Sequence, residues 1–293
     1  MSISLGALLL VLASSLAWGG FDTSRKVLAE RIRPLPLLFL LTTASAPLFA
    51  IWLAVDGMPD VATGYLLPAA GSVVLNVGAN LAYIEAVRRS ALSLTIPLLS
   101  LTPVFTALLA IPLLGERPML VQAAGILLVV LGALILSLPA EDRLSPAGAL
   151  RAWRREPGAL WMIVVALLWS LSGPLDKLAM GQSSGPFHGL MLHLGVAAAT
   201  LLILAVWRRL GELSDARGAG LPFLAAIGLG SLALALQLMA YQFLWVSLVE
   251  TLKRGIGNLL AVLFGRLVFA EAITLRKLVA VTLMAAGVAL ILV

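Results

Sequence analysis

The sequence contains no cysteine, which excludes disulfides, thiol nucleophiles and thiolate metal sites. It has two histidines, His188 and His193. Five positions apart on a helix, they point about 140° away from each other and make no shared metal face. Charge is scarce as well: Asp, Glu, Lys and Arg make up 12% of the chain, about half of what a soluble domain carries. With 61% hydrophobic residues among 293 and a mean hydropathy of +1.07, a soluble globule has no way to hide its apolar surface. A soluble enzyme, a nucleic-acid binder and a disordered chain are excluded on that ground. The net charge of +6 does not bring nucleic acid back, because the 20 Lys and Arg lie thinly between apolar runs. They suit basic loops beside anionic lipid. There is no G-x-x-x-x-G-K-[ST] run and no H-E-x-x-H, so neither ATP hydrolysis nor a zinc protease site is expected. No catalytic residue, cofactor or metal is assigned.

What the chain does have is apolar runs of membrane length. A bilayer core needs about 20 residues per helix, and the chain divides into about ten such blocks. They fall near 3–23, 34–55, 63–85, 91–113, 118–139, 157–178, 186–207, 219–243, 247–268 and 275–293. Turn signals separate them, such as Asp56-Gly57-Met58-Pro59-Asp60 and Gly115-Glu116-Arg117-Pro118. The blocks lack a period of two, which argues against a β-barrel. The first block has no basic start and no small-x-small cleavage site, so it reads as a retained helix rather than a signal peptide. One polar stretch, 141–156, joins residues 1–140 to residues 157–293. Lys and Arg concentrate in the odd-numbered connections: Arg25, Lys26, Arg31 and Arg33; Arg88 and Arg89; Arg143, Arg151, Arg154 and Arg155; Arg208, Arg209 and Arg217; Arg266, Arg276 and Lys277. By the positive-inside rule those connections face the cytoplasm and both termini face outward.

The two halves share an order of motifs. Ala17-Trp18-Gly19-Gly20 with Asp22 and Lys26 corresponds, with small gaps, to Leu168-Trp169-Ser170 with Asp176-Lys177. Ala82-Tyr83 corresponds to Ala240-Tyr241, and Gly115-Glu116 to Ala270-Glu271. Five helices per half is an odd number, so the second half enters the membrane from the opposite side. The expected fold is therefore an all-α integral membrane protein of ten transmembrane helices, two inverted five-helix repeats around a central cavity. That architecture lets a carrier alternate between two access states.

Several stretches carry a resemblance. They are the run from Tyr83-Ile84-Glu85-Ala86 through Arg88-Arg89-Ser90 to Leu94, Pro97-Leu98-Leu99-Ser100-Leu101-Thr102-Pro103, and Leu114-Gly115-Glu116-Arg117-Pro118. Together with the tryptophan-glycine start and Phe269-Ala270-Glu271, this pattern resembles the EamA-type members of the drug/metabolite transporter superfamily over essentially the whole chain. The resemblance implies a ten-helix bundle moving a small metabolite, amino acid or drug-like compound, with export favoured over import. It implies the cytoplasmic (inner) membrane of a bacterium, and a monomer or homodimer with the lipid bilayer and a small-molecule solute as its partners. It also implies both termini in the cytoplasm, against the charge count. Small relatives couple to protons through a glutamate in the first helix; here the only acid of that block is Asp22. A membrane-embedded enzyme and a non-transporting membrane subunit are the alternatives. The first lacks clustered acids or histidines, and the second lacks extramembrane mass to hold a partner.

Transport at mid-bilayer requires polar groups facing an internal cavity, because such groups are costly against lipid. Helical spacing sets Ser14, Trp18 and Asp22 on one face, Trp169, Ser172 and Asp176 on another, and Asn76, Asn80 and Tyr83 on a third. Gln237 with Tyr241, and Thr251, Arg254 and Asn258, continue the pattern. The expected solute site is Ser14, Trp18, Asn76, Asn80, Tyr83, Trp169, Ser172, Gln237, Tyr241 and Asn258. Helix–helix glue and interfacial anchoring remain open for the same residues. Pro97 and Pro103 interrupt the fourth block and are expected to kink it or serve as a hinge. Glu85, Glu250 and Arg254 are the expected charge-coupling groups, with Glu250 pairing Arg254, and an anion site at Lys253 or Arg254 as a further reading. Asp22 and Asp176 are expected to form local ion pairs with Lys26 and Lys177 at the membrane surface. Glu116 and Glu271 are expected to satisfy backbone or loop groups, His193 to be a bonded bundle residue, and Gly255 and Gly257 to admit a neighbouring backbone.

Overall fold

The computed structural model describes residues 4–90, 95–137, 154–216, 220–269 and 274–292. Residues 91–94 of the family-like signature, most of the 141–156 linker with Arg143 and Arg151, Arg217, and the Ala270-Glu271 pair lie outside the described residues. The described residues form ten α-helices: α1 (Leu5–Ala29), α2 (Pro34–Asp56), α3 (Leu66–Arg89), α4 (Thr102–Leu114), α5 (Leu120–Ser137), α6 (Ala159–Gly181), α7 (Gly185–Val206), α8 (Gly220–Phe243), α9 (Val246–Phe269) and α10 (Leu275–Leu292). Short 3-10 turns sit at Thr63–Tyr65, Ile96–Leu101 and Leu210–Ala216. Among the described residues, seven helices are long and apolar enough to cross a membrane, and Leu98–Leu114 and Leu120–Leu136 are shorter apolar helices. The exception is α9, which carries Glu250, Lys253, Arg254 and Arg266.

Local chemistry sets the helix ends. Ser4 caps α1 by accepting the Ala7 amide at 3.2 Å, and Ser184 caps α7 through the Phe187 amide at 3.4 Å. The helix expected over 91–113 does not form as one piece. Residues Ile96–Leu101 wind as a 3-10 turn, and α4 begins only at Thr102. Pro97 and Pro103 each lack a backbone donor, so the α ladder cannot run through them. At its other end α4 stops on Gly115, whose φ of 69° is left-handed. That turn returns the Glu116 amide to the Ala110 carbonyl at 3.3 Å and aims its side chain back at the bundle.

Loop contacts define two ends of the bundle. At one end Arg33 pairs with Glu212, Lys26 donates to the Val87 carbonyl, and Ser90 bonds Glu156 and the Gly158 amide. The described parts of the first, third, fifth and seventh connections gather here; we call this the basic end. At the opposite end the Ala62 amide donates to the Gln182 carbonyl at 2.9 Å, and Lys177 joins Glu116 to the Leu244 carbonyl.

Packing runs between the halves. α1 packs on α8, α2 on α7, α3 on α6, and α5 on α10; α4 lies against α6 and α9, and α9 also against α1. Exchanging the two sets of five leaves this list of pairs unchanged. The α5–α10 contact is close because it is made through glycine: a Cβ on Gly287 would stand 2.6 Å from the Gly125 carbonyl oxygen. Gly255 is also tightly packed, against Val288, whereas Gly257 faces open space, so only the first fits the expected close approach. The outer surface is apolar, with Ile51, Val74, Leu120 and Leu202 exposed, as lipid contact requires and water contact penalises.

Candidate functional site: a polar cavity between the halves

Seven helices from both halves enclose a cavity of about 110 Å³, room for several waters or one small solute. α1 contributes Trp18, Phe21, Asp22 and Arg25, and α2 contributes Leu38, Leu41, Thr42 and Ser45. Asn76 and Asn80 come from α3, Trp169, Ser172 and Asp176 from α6, and His193 from α7. Gln237 and Tyr241 of α8 face Glu250, Lys253 and Arg254 of α9.

Its polar groups form three linked clusters. Towards the basic end, Arg25 is 1% exposed. It pairs with Asp22 and donates to Asn80 Oδ1 at 3.0 Å. Its guanidinium lies 3.8 Å from the Tyr83 ring centroid and 4.2 Å from that of Phe21, with Trp18 and Trp169 near 6 Å. Stacked rings offer a buried cation its quadrupole faces where water is absent. In the middle, Gln237 Oε1 accepts from Trp18 Nε1 at 2.9 Å and from Lys253 Nζ at 2.6 Å. Lys253 also binds Glu250 at 2.6 Å, and Tyr241 is tied to both Gln237 and Glu250 at 2.9 and 3.0 Å. Towards the opposite end, Asp176 accepts from Ser72 and Ser172 and lies 3.0 Å from His188 Nε2. Asn76 Nδ2 links this cluster to the first through Ser172 at 2.7 Å and, by its carbonyl, to Asn80. A second hollow at that end is lined by Asp56, Lys177, Ser184 and Gln242, and touches the cavity at Tyr241.

Of the expected solute residues, Trp18, Asn76, Asn80, Trp169, Ser172, Gln237 and Tyr241 lie on the cavity wall. Three do not. Ser14 is buried and donates to the Ala233 carbonyl, so it joins α1 to α8. Tyr83 is fully buried behind Trp169 and Arg25, a support for the wall. Asn258 donates to Ser100 and joins α9 to the 3-10 turn. Of the charge-coupling residues, Glu250 and Arg254 line the cavity. Glu85 instead pairs with Arg88 and Arg89 at the end of α3, because it lies one turn from the helix terminus. Glu250 binds Lys253, not Arg254.

The expected surface ion pairs of Asp22 and Asp176 are also corrected. Both aspartates are buried. Helix α1 continues past 23 to Ala29, which brings Arg25 one turn beyond Asp22 and turns Lys26 outward to the Val87 carbonyl. Lys177 points away from Asp176 to Glu116 at 2.8 Å. Glu116 binds the Val246 amide at 2.9 Å as well, the backbone role expected of it. His193 bonds the Gly189 carbonyl at 2.8 Å and stacks on Phe49 while also lining the cavity. Sequence reasoning had no place for Arg25, His188 or Tyr65 in the site. Among the described residues no group of three His, Asp or Glu side chains is placed to hold a metal.

The sequence profile of the EamA-like transporter family matches residues 5–138 and again 156–293. No curated protein matches the chain by sequence. Twenty-nine chains of solved structures match it. One of them, a crystal structure, superposes with a TM-score of 0.67 at 16% identity, covering 98% of this chain and 96% of its own; that likeness is one of fold alone. Two profile matches that together span nearly the whole chain place the protein in the EamA-like transporter family.

Proposed function

We propose that the protein is a secondary carrier of a small organic solute in the cytoplasmic membrane of a bacterium, working by alternating access through the cavity between its halves. On this reading ten helices cross the bilayer as two inverted five-helix repeats, 1–140 and 157–293, joined by the 141–156 linker. The odd-numbered connections then face the cytoplasm, since they carry most of the Lys and Arg of the sequence. Outward transport is the direction taken from family analogy.

The observation that carries the reading is the cavity itself. Charged and amide side chains from both halves converge on one small space inside an otherwise oily bundle. Polar groups so placed mark a solute path, and their position between halves that pack by an exchange-symmetric list of contacts suits rocking about a fixed site. Trp18 and Trp169, with ring centroids 6.4 Å apart, offer apolar faces. Asn76, Asn80 and Gln237 offer hydrogen bonds. The volume of about 110 Å³ sets the solute at metabolite rather than lipid size.

The absence of cysteine permits a direct test. Thr42 lines the cavity and its hydroxyl bonds only carbonyls of its own helix, so Thr42→Cys disturbs little. In right-side-out and inside-out vesicles, a membrane-impermeant thiol reagent should label this cysteine from either face. Labelling from one face only refutes alternating access, and labelling from neither refutes a solute path through this cavity.

A further inference from the structure

We propose that Asp176 and His188 form a proton-binding site that couples proton movement to the exchange of access, an inference that rests on the carrier reading. Asp176 is 4% exposed and His188 is wholly buried. His188 Nε2 lies 3.0 Å from Asp176 Oδ1, and its Nδ1 lies 3.4 Å from the Tyr65 hydroxyl. Tyr65 sits at the mouth of α3, three residues beyond the loop bond from the Ala62 amide to the Gln182 carbonyl. On the other side the Asp176 carboxylate meets Ser172, which bonds Asn76 on the cavity wall. A hydrogen-bonded chain therefore runs from the loop end of the bundle, through an imidazole and a carboxylate, into the cavity. Buried ionisable chains of this kind are how membrane carriers move protons.

Around the pair, Lys177, Tyr241 and His193 are each bonded elsewhere. Lys177 is its nearest cation in sequence but is held by Glu116 and the Leu244 carbonyl. From α8 comes Tyr241, bonded to Gln237 and Glu250. On α7, His193 lies farther along, bonded to Gly189. α2 presents Phe49 and Trp52 on this side, with Asp56 at its exposed end. α3 brings Ser72 and Asn76, while its Glu85, Arg88 and Arg89 stand roughly 20 Å away along the helix.

The step balances. His188 Nδ1 takes the phenolic proton of Tyr65 as Nε2 gives its proton to Asp176 Oδ1. The ring ends neutral in the other tautomer, and Tyr65, whose side chain is buried, recovers its proton from water admitted when this end of the bundle opens. The mechanical consequence follows from the partners of the carboxylate. Ionised, Asp176 accepts from α3 through Ser72, from α7 through His188 and from its own helix through Ser172. Protonated, it donates from Oδ1 back to the bare Nε2 and has lost its charge, so its bonds to Ser72, Ser172 and His188 fall from charge-assisted to neutral strength, about half. That loosens α3 and α7 from α6 at the end where the second hollow touches the cavity.

The test uses the full chain carrying Thr42→Cys in proteoliposomes, with a membrane-impermeant methanethiosulfonate as probe. The ratio of labelling from the two faces is followed from about pH 5 to about pH 8, which cancels the thiol's own reactivity. The ratio should move by about tenfold or more over that range, and the movement should vanish with Asp176→Asn or His188→Gln. A ratio that stays flat with pH while both faces still label overturns the proton site and leaves the carrier reading intact. Labelling from a single face at every pH overturns both. If neither variant folds, infrared titration of the Thr42→Cys protein in lipid decides. A buried carboxyl band that titrates together with histidine ring bands supports the site, and the absence of any such band overturns it.

Discussion

The Asp22–Arg25 pair allows the electrostatics of the cavity to be measured as a free energy. Arg25 is 1% exposed, paired with Asp22, bonded to Asn80 and set between the rings of Phe21 and Tyr83. Removing one member of a buried ion pair costs about 3–5 kcal/mol, because the other charge stays behind. With Asp22→Asn the orphan is Arg25, which keeps the ring faces and Asn80; cation–π contact at a desolvated site offsets about 1–2 kcal/mol. The net loss expected is about 2–3 kcal/mol. With Arg25→Met the orphan is Asp22, which has no ring cage and whose remaining cation, Lys253, is bound to Glu250 and Gln237, so a loss close to the full value of about 3–5 kcal/mol is expected. The double variant Asp22→Asn/Arg25→Met leaves no charge unpaired, and its loss should be only about 1–2 kcal/mol. The singles then sum to well above the double, with a coupling energy of at least about 3 kcal/mol. Equilibrium unfolding in mixed micelles, followed by tryptophan fluorescence, measures all four corners of the cycle. Trp18 and Trp169 report directly, since both stand beside the cage. Additive losses, or a double variant as weak as the sum of the singles, would refute the account of Arg25 as a cation stabilised mainly by its partner.

Two further outcomes follow from the packing and from the basic end. Gly287→Ala drives a methyl onto the Gly125 carbonyl at 2.6 Å and should cost about 1–3 kcal/mol as overpacking. Gly19→Ala, with nothing within 4 Å, should be neutral or gain up to about 1 kcal/mol of helix propensity, so equal Tm losses for the two would reject the glycine seam. At the basic end, a hydrogen bond from Arg209, joined by one from Arg33, holds the Glu212 carboxyl below the usual carboxylate range. A depressed folded value means the contribution is present at neutral pH and fades only as the pH falls through that lowered value. Protection factors for hydrogen exchange across 210–216 should therefore fall as the pH drops below the usual carboxylate range. Glu212→Gln should exchange fast at every pH, and a variant that kept the wild-type profile would remove the loop clasp from the picture.

The class of fold was legible because hydropathy and run length are decided by the bilayer and not by tertiary detail. The wall residues Trp18, Asn76, Asn80, Trp169 and Gln237 were legible for a related reason: a polar or amphipathic side chain deep in an apolar run must find a wet or bonded place. Arg25 was not legible, because a charge one turn beyond an apolar run reads as the start of a loop. In fact α1 runs on to Ala29, and the cation is carried inward by the rings around it. His188 was missed for the mirror reason. It follows the Gly185-Pro186 break closely enough to look interfacial, yet the Ser184 cap begins α7 early and sets it within the bundle. Ser14 and Asn258 have the same pattern as true wall residues. Which polar side chains meet the cavity and which meet a neighbouring carbonyl or hydroxyl depends on the rotation of each helix, and spacing within one helix does not fix that.

The register between the halves sharpens the point. Trp18 and Lys26 have the same spacing as Trp169 and Lys177. The two lysines do the same work: Lys26 binds the Val87 carbonyl at the end of α3, and Lys177 binds the Leu244 carbonyl just past α8. Each ties the first helix of its half to the end of the third. Without gaps, that register sets Arg25, not Asp22, opposite Asp176. Equivalent positions in the two halves thus carry opposite charge, a caged cation near the basic end and a hydrogen-bonded carboxylate near the other. On the carrier reading, a cavity with chemically identical ends would give two access states of equal energy, and no solute or ion could prefer one over the other through those ends. A ligand shifts such a balance only by its differential affinity for the two states. Arg25 and Asp176 make the ends different, so on the same reading each would respond to a different species: the Asp176 end to a proton, as proposed above, and the Arg25 end to a species that competes with Asp22 for the guanidinium. On that reading, this exchange of charge at equivalent positions is what lets a bound species favour one access state over the other.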